Sequence, residues 1–129
     1  MAKRKPPRPT DAELAILRVL WQRGAGTVRQ VQEELSLTRP VGYTTVLKFL
    51  QIMTAKGLVC RDESRRTHVY QARLARERTQ RQLVRDIVER AFGGSSAQLV
   101  AQALTTGSTS PAELREIRKL LDELEGGER

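Results

Sequence analysis

The feature that most constrains the fold of this chain is a series of three short amphipathic segments within residues 10–57, each with its own helix start or stop signals. Thr10 and Thr27 each stand three residues before a Glu or a Gln, the spacing of a capping box at the start of a helix. Gly24 and Gly57 follow the first and third segments, and glycine is the residue that most readily ends a helix. The sequence therefore predicts three short helices.

Apolar residues recur at helical spacing inside each segment, so each predicted helix has one side suited to a core. The stripes are Leu14, Leu17, Leu20 and Trp21 in the first helix, Val28, Val31 and Leu35 in the second, and Val46, Phe49, Leu50 and Met53 in the third. Pro40 cannot lie inside a helix, so it marks the boundary between the second and third helices. We expect Trp21 to be a core residue rather than a platform for a ligand.

Two short β-type runs follow the third helix, at residues 58–60 and 69–72, with a polar hairpin tip at residues 61–68 between them. We expect Cys60, on the first run, to be a small buried hydrophobe. Three helices followed by a hairpin are the order of a winged helix-turn-helix, which places one helix in a DNA major groove and a basic loop beside the backbone. The predicted fold is mostly α with a small β-hairpin, and the hairpin is the candidate wing.

The third helix has the composition of a helix that reads DNA, because no acid occurs from Val41 to Gly57 and phosphates would repel a carboxylate there. Threonine suits a thymine methyl, glutamine suits adenine, and lysine suits guanine or phosphate. Arginines before the helix and at the wing tip suit the DNA backbone. The predicted DNA-binding residues are Arg39, Tyr43, Thr44, Thr45, Lys48, Gln51, Arg65 and Arg66. The alternative is that some of them only solvate the surface.

The net charge of +8 is concentrated in the first part of the chain. Residues 1–80 contain 16 Lys/Arg and 7 Asp/Glu, whereas residues 81–129 contain 7 and 8. This asymmetry indicates that the first part binds a polyanion and the second part binds protein. We predict a flexible basic arm at residues 1–9, a winged-helix DNA-binding domain at 10–73 and a helical dimerisation region at 74–129. The arm either adds phosphate contacts or is a solvated tail.

The last part of the chain carries apolar stripes that one copy cannot bury alone, because about fifty residues are marginal for an independent core. The predicted dimerisation residues are Leu83, Ile87, Leu99, Val100, Leu104, Leu114, Ile117, Leu121 and Leu124. The last four repeat at intervals of 3, 4 and 3, as in a heptad seam. A second copy would cover the stripes and match a palindromic DNA site. The alternative is that these helices fold back on the first domain.

The side chains that most enzymes need are scarce in this sequence. It has one cysteine, one histidine and no glycine-rich phosphate loop, so we expect neither an enzyme nor a cofactor or metal site. His68 has no companions for metal binding, and Cys60 can form no disulfide within one chain. No segment approaches the roughly 20 apolar residues that span a bilayer, so we expect no membrane insertion and a cytoplasmic, nucleoid-associated protein.

Several motifs together are similar to those of one family of regulators. They are Ala12-Glu13-Leu14 with Leu20-Trp21, Tyr43-Thr44-Thr45-Val46, Lys56-Gly57-Leu58-Val59, Phe92-Gly93-Gly94-Ser95 and the final helix from Leu114 to Leu121. Over roughly residues 10–125 the chain resembles the penicillinase repressor family, which includes regulators of β-lactamase and methicillin-resistance genes and copper-responsive repressors. The resemblance implies a homodimeric transcriptional repressor whose winged helix binds an operator dyad and whose C-terminal helices dimerise.

The resemblance also implies ways in which repression is relieved, and here the chain departs from the family pattern. Copper-responsive members end in a cysteine-rich metal motif, whereas this chain has only Cys60. In the β-lactam branch a membrane sensor protease triggers cleavage at an Asn-Phe bond, and the corresponding segment here, Ala101-Gln102-Ala103, lacks that pair. Proteolytic relief therefore stays open. Two alternatives remain: a winged-helix regulator controlled by a small ligand, and a helical adaptor that binds protein.

Overall fold

The computed structural model describes residues 8–127, and in that part of the chain it contains six helices and one two-stranded hairpin. The elements are α1 (Asp11–Arg23), α2 (Val28–Ser36), α3 (Tyr43–Lys56), β1 (Val59–Asp62), β2 (Val69–Ala72), α4 (Arg76–Ala91), α5 (Ser96–Thr106) and α6 (Pro111–Gly126). This order confirms the predicted fold class. Most of the predicted arm, residues 1–7, lies outside the described residues.

The helix boundaries follow the local signals in the sequence. The Thr10 hydroxyl accepts a hydrogen bond from the Glu13 backbone N–H at 3.2 Å, and the Thr10 N–H donates to Oε1 of Glu13 at 2.9 Å. Thr27 and Gln30 form the same reciprocal pair at the start of α2. Gly57 ends α3 with a φ of 81°, a left-handed conformation that a residue with a Cβ adopts only at a cost.

The chain divides into two compact units between Leu83 and Val84, which lie within α4. The core of the first unit comes from all three of its complete helices and from the hairpin. Its buried apolar residues are Ile16, Leu17, Leu20, Val28, Val31, Val46, Leu50, Met53, Leu58, Val59 and Tyr70. Trp21 packs at the edge of this core, and its indole N–H donates to the backbone oxygen of Leu74 at 3.0 Å.

A backbone bridge joins the loop before α2 to the wing. The Gly26 N–H donates to the Tyr70 oxygen at 2.9 Å, and the Tyr70 N–H donates to the Gly26 oxygen at 2.8 Å. Tyr70 is 1 % exposed, so the strand that carries it is anchored in the core. The bridge therefore fixes the start of α2 beside β2, a contact that no sequence pattern predicted.

The hairpin differs from its prediction in two respects. β1 begins at Val59 and runs to Asp62, so Arg61 and Asp62 pair with β2 instead of belonging to the tip. Cys60 is exposed, and the prediction that it is buried was wrong. Successive strand residues point to opposite faces of a sheet, and Val59 occupies the face toward the core.

An ion pair joins the start of α1 to the end of α3. Nζ of Lys56 donates to Oε1 of Glu13 at 2.7 Å, and the Glu13 side chain is only 3 % exposed. Burial acts to raise the pKa of Glu13, but the hydrogen bonds from Lys56 and from Thr10 outweigh it and hold that pKa below its ordinary value. Glu13 therefore caps one helix while it fixes the end of another.

We expect Glu13→Gln to lower the free energy of unfolding by about 1–2 kcal/mol, because glutamine keeps the capping box but removes the charge opposite the partly exposed Lys56. The lowered pKa means that this stabilisation is complete above pH 4.5, the ordinary pKa, and is lost as the pH falls through the folded-state pKa. Urea unfolding of wild type and of Glu13→Gln at pH 7 and pH 3 measures the difference in their free energies of unfolding. A difference that stays the same at pH 3 would contradict this assignment.

The second unit begins inside α4 and has little core of its own. Among its described residues no side chain is buried, although Ser95 caps α5 and Ser110 forms a capping box with Glu113 at α6. Val100, Leu121 and Leu124 are 47 %, 53 % and 60 % exposed. No helix in the described part of the chain is long and apolar enough to cross a membrane.

Candidate nucleic-acid interface

The orientation of α3 follows from the side chains that it buries. Val46, Leu50 and Met53 are each 0 % exposed and face the core of the first unit. Because a helix repeats every 3.6 residues, Thr44, Lys48 and Gln51 lie together on the opposite side, and all three are exposed. We call these three residues the crest of α3.

The crest carries positive charge without a compensating acid. α3 contains no Asp or Glu, and Lys48 has no ion-pair partner among the described residues. Lys56, the other cation of the helix, is held by Glu13 at the far end. Lys48 is therefore the α3 cation that is free to meet an external anion.

An open cleft of about 550 Å³ lies on one flank of the crest, between the starts of α2 and α3 and the wing. We call it the wing cleft. Its polar lining residues are Thr27, Arg29, Tyr43, Arg66, Thr67 and His68. The structure thus brings together Tyr43 and Arg66, two of the predicted DNA-binding residues, and adds Arg29 and His68 to them.

A second groove, of about 440 Å³, lies on the other flank of the crest. It contains Arg39 and Thr45, which were predicted to bind DNA, beside half-buried apolar side chains such as Phe49. Thr45 and Arg39 are therefore close to each other but separated by the crest from the wing cleft. The crest residues thus lie between Tyr43, which lines the wing cleft, and Thr45, which lines the second groove.

The two predicted wing arginines have different surroundings. Arg66 lines the wing cleft. Arg65 lies near Asp62, whose pKa is lowered first by the hydrogen bond from the Ser64 backbone N–H at 2.9 Å and further by the charge of Arg65. Arg61 is paired with Glu63 at 2.6 Å. Of these arginines, Arg66 is the one that lines the cleft beside α3.

Comparison with known proteins identifies the family of this chain. Residues 9–123 match the family described as Penicillinase repressor. The chain belongs to the penicillinase repressor family. This membership confirms the resemblance inferred from the motifs in the first three helices and the tail.

Two curated relatives in this family span nearly the whole chain. The transcriptional regulator BlaI of Mycobacterium tuberculosis is 36 % identical over 126 residues, which are 95 % of this chain and 89 % of that protein. The penicillinase repressor of Bacillus licheniformis is 24 % identical over 120 residues, 93 % of this chain and 94 % of that protein. A solved structure of the DNA-binding domain of the repressor BlaI is 27 % identical with a TM-score of 0.50, covering 57 % of this chain and 90 % of that one.

In this member of the penicillinase repressor family, three exposed residues beside the crest were not predicted from the sequence. Arg29 is on α2, which was interpreted only as a packing helix, and His68 was interpreted only as a residue of the wing. Ile52 is 41 % exposed on α3, although its apolar character suggested no surface role. Their side-chain types alone carried no signal, because exposure next to α3 depends on how the elements pack.

Proposed function

We propose that this protein is a homodimeric transcriptional repressor that binds a palindromic operator with the crest of α3 and the wing. The observation that carries the proposal is the crest itself: an acid-free, exposed row of polar side chains on the third helix of a winged helix, flanked by arginines on both sides. Family membership and the similarity to the DNA-binding domain of BlaI support it.

Dimerisation is supported by the apolar surface that the second unit leaves exposed. Leu114, Leu121 and Leu124 occupy one side of α6 and are 41–60 % exposed. Isolated helices with such a stripe gain stability only when a partner covers the stripe. A second copy of the chain would provide an identical stripe, and its two-fold symmetry would match an operator of two inverted half-sites.

The proposed mechanism separates affinity from sequence choice. Arginines on the two flanks of α3 contact phosphates and supply a salt-sensitive attraction to any duplex. The crest residues Thr44, Lys48 and Gln51 meet base edges in the major groove and choose among sequences. A dimer bound in this way over a promoter would exclude RNA polymerase, and release of the dimer would restore transcription.

Selection from a pool of random duplexes tests the proposal, because the protein itself then chooses the operator sequence. The full chain is expected to enrich an inverted repeat whose half-sites are separated by about one turn of DNA, roughly 10 base pairs, or a multiple of it. If no sequence is enriched at about 0.15 M salt, the proposed operator binding is contradicted. Enrichment of a single motif without a repeat would contradict the homodimeric arrangement.

Lys48→Ala is expected to weaken binding to the selected operator by about 1–3 kcal/mol if the ammonium group contacts a base. The physical reason is that alanine removes the one α3 cation that is not engaged within the described part of the protein. Lys119→Ala in α6 is the control, because it removes the same charge outside the proposed interface. Equal affinities of Lys48→Ala and wild type in a gel shift would remove Lys48 from the site.

We propose that the protein is cytoplasmic and nucleoid-associated, and that repression is relieved by cleavage in the second unit. A membrane sensor protease would cause this cleavage either directly or through a pathway. Ala101, Gln102 and Ala103 are exposed on α5, so a protease could reach this helix after local unfolding. Immunoblots of cells exposed to a β-lactam measure whether the repressor is cleaved. If the repressor dissociates from DNA while its own mass stays that of the full chain, control by a small ligand is favoured instead. Thermal-shift screening would then identify the ligand.

A further inference from the structure

The wing cleft concentrates cationic and hydrogen-bonding groups from three different elements. Arg29 comes from α2, Tyr43 from α3, and Arg66 with His68 from the wing. No Asp or Glu is among the described residues that line it, and Tyr70 is buried at its base. His68 is the only histidine of the whole chain. Two guanidinium groups, an imidazole and a phenol without a carboxylate form a site whose chemistry favours an anion with several oxygen acceptors.

The cleft is held in place by the backbone. The paired hydrogen bonds between Gly26 and Tyr70 fix the loop before α2 against β2. The capping box of Thr27 and Gln30 then starts α2 directly after that bridge, which sets the position of Arg29. His68 immediately precedes β2, two residues before Tyr70. The backbone segments that carry Arg29 and His68 are therefore held beside each other by hydrogen bonds that lead into the core.

We propose that the wing cleft binds a backbone phosphate of the operator duplex, and that His68 enters this contact as an imidazolium, so that DNA binding takes up a proton. The inference rests on the proposed function, since it assumes that α3 lies in the major groove. The cleft flanks the crest through Tyr43 and Leu47, and the phosphates of one strand border the groove on that side. A phosphate beside the imidazole favours its charged form.

The consequence is a dependence of affinity on pH in the range where histidine changes charge, between about pH 5 and 8. If binding takes up protons, affinity rises as the pH falls, by up to about tenfold per pH unit for each proton taken up. The other ionisable side chains that line the cleft are Arg29, Tyr43, Arg66 and Tyr70, and histidine is the side-chain type whose charge ordinarily changes in this pH range. His68 is therefore the group that we expect to carry the coupling.

Fluorescence anisotropy with a mixed-sequence duplex of about 30 base pairs tests this inference, because phosphate contacts do not depend on sequence. Wild type is expected to bind about tenfold more tightly at pH 6 than at pH 8 at constant ionic strength. His68→Gln should remove most of that difference. Arg29→Ala should weaken binding at both pH values and reduce the slope of log affinity against log salt by about 0.9 per protomer. Arg115→Ala, an arginine of α6, is the matched control.

The outcomes separate this inference from the proposed function. If wild type binds DNA while His68→Gln keeps the same pH dependence and Arg29→Ala the same salt slope, the cleft does not bind the backbone, although the protein remains a DNA-binding repressor. If wild type binds neither this duplex nor any selected sequence, the proposed function itself fails. Inorganic phosphate at about 10 mM distinguishes the source of the anion: perturbation of the His68 NMR signals by phosphate but not by duplex would overturn the assignment to DNA.

Discussion

Operator binding is expected to fall by about 10²–10⁴-fold when Leu121 and Leu124 are both replaced by aspartate. Two carboxylates would lie on the apolar side of α6 that we propose joins two copies of the chain, and burying them without partners would cost several kcal/mol. The variant should become monomeric. Each half-site would then be bound separately, so that the gain from linking two DNA-binding domains would be lost.

Lys119→Asp provides a control matched in charge. It lowers the net charge by two, as the double leucine variant does, but Lys119 stands on the side of α6 opposite to the stripe. Light scattering at micromolar protein gives the mass, and anisotropy with the selected operator gives the affinity. A double variant that stays dimeric, or a monomer that keeps wild-type affinity, would contradict the proposed role of α6.

Leu50→Ala is expected to lower the free energy of unfolding by about 3–4 kcal/mol, a large part of the 5–15 kcal/mol of a typical domain. Leu50 is 0 % exposed on the buried side of α3, so truncation leaves a cavity in the core that α1, α2, α3 and the hairpin share. Because the same side chain holds α3 in place, operator binding should weaken once the variant is partly unfolded. Urea unfolding of the full chain monitored by circular dichroism measures the loss.

The chain also offers a matched leucine for this experiment. Leu37 is 80 % exposed in the turn after α2, and Leu37→Ala should change the free energy of unfolding by no more than about 0.5 kcal/mol. Similar losses for the two variants would show that the cost reflects leucine content rather than packing. A loss below about 1 kcal/mol for Leu50→Ala would mean that the core is looser than its burial indicates.

The elements of this fold could be predicted because their signals are local. Thr10 with Glu13 and Thr27 with Gln30 are three residues apart, and their reciprocal hydrogen bonds form as soon as one helical turn exists. Gly57 ends α3 for an equally local reason, the left-handed conformation at that position. The spacing of Val46, Leu50 and Met53 then determined which side of α3 is exposed.

Local patterns could not predict how the surface around α3 is assembled. The side-chain type of Cys60 favoured burial, but the register of β1 placed it on the outer face of the hairpin. The sequence around Arg29 gave no reason to expect it near α3, and it lines the wing cleft because α2 starts beside β2. Arg65 and Arg66 are adjacent in sequence and have different neighbours.

By itself the sequence determined the three short helices, their caps, the hairpin and the acid-free side of α3, because each depends on residues within a few positions of one another. Only the tertiary structure decided the contacts that arrange these parts. Glu13 meets Lys56 across 43 residues, Trp21 meets Leu74 across 53, and Gly26 pairs with Tyr70. Such contacts exist only after the chain has folded back on itself, so no short window of sequence contains them.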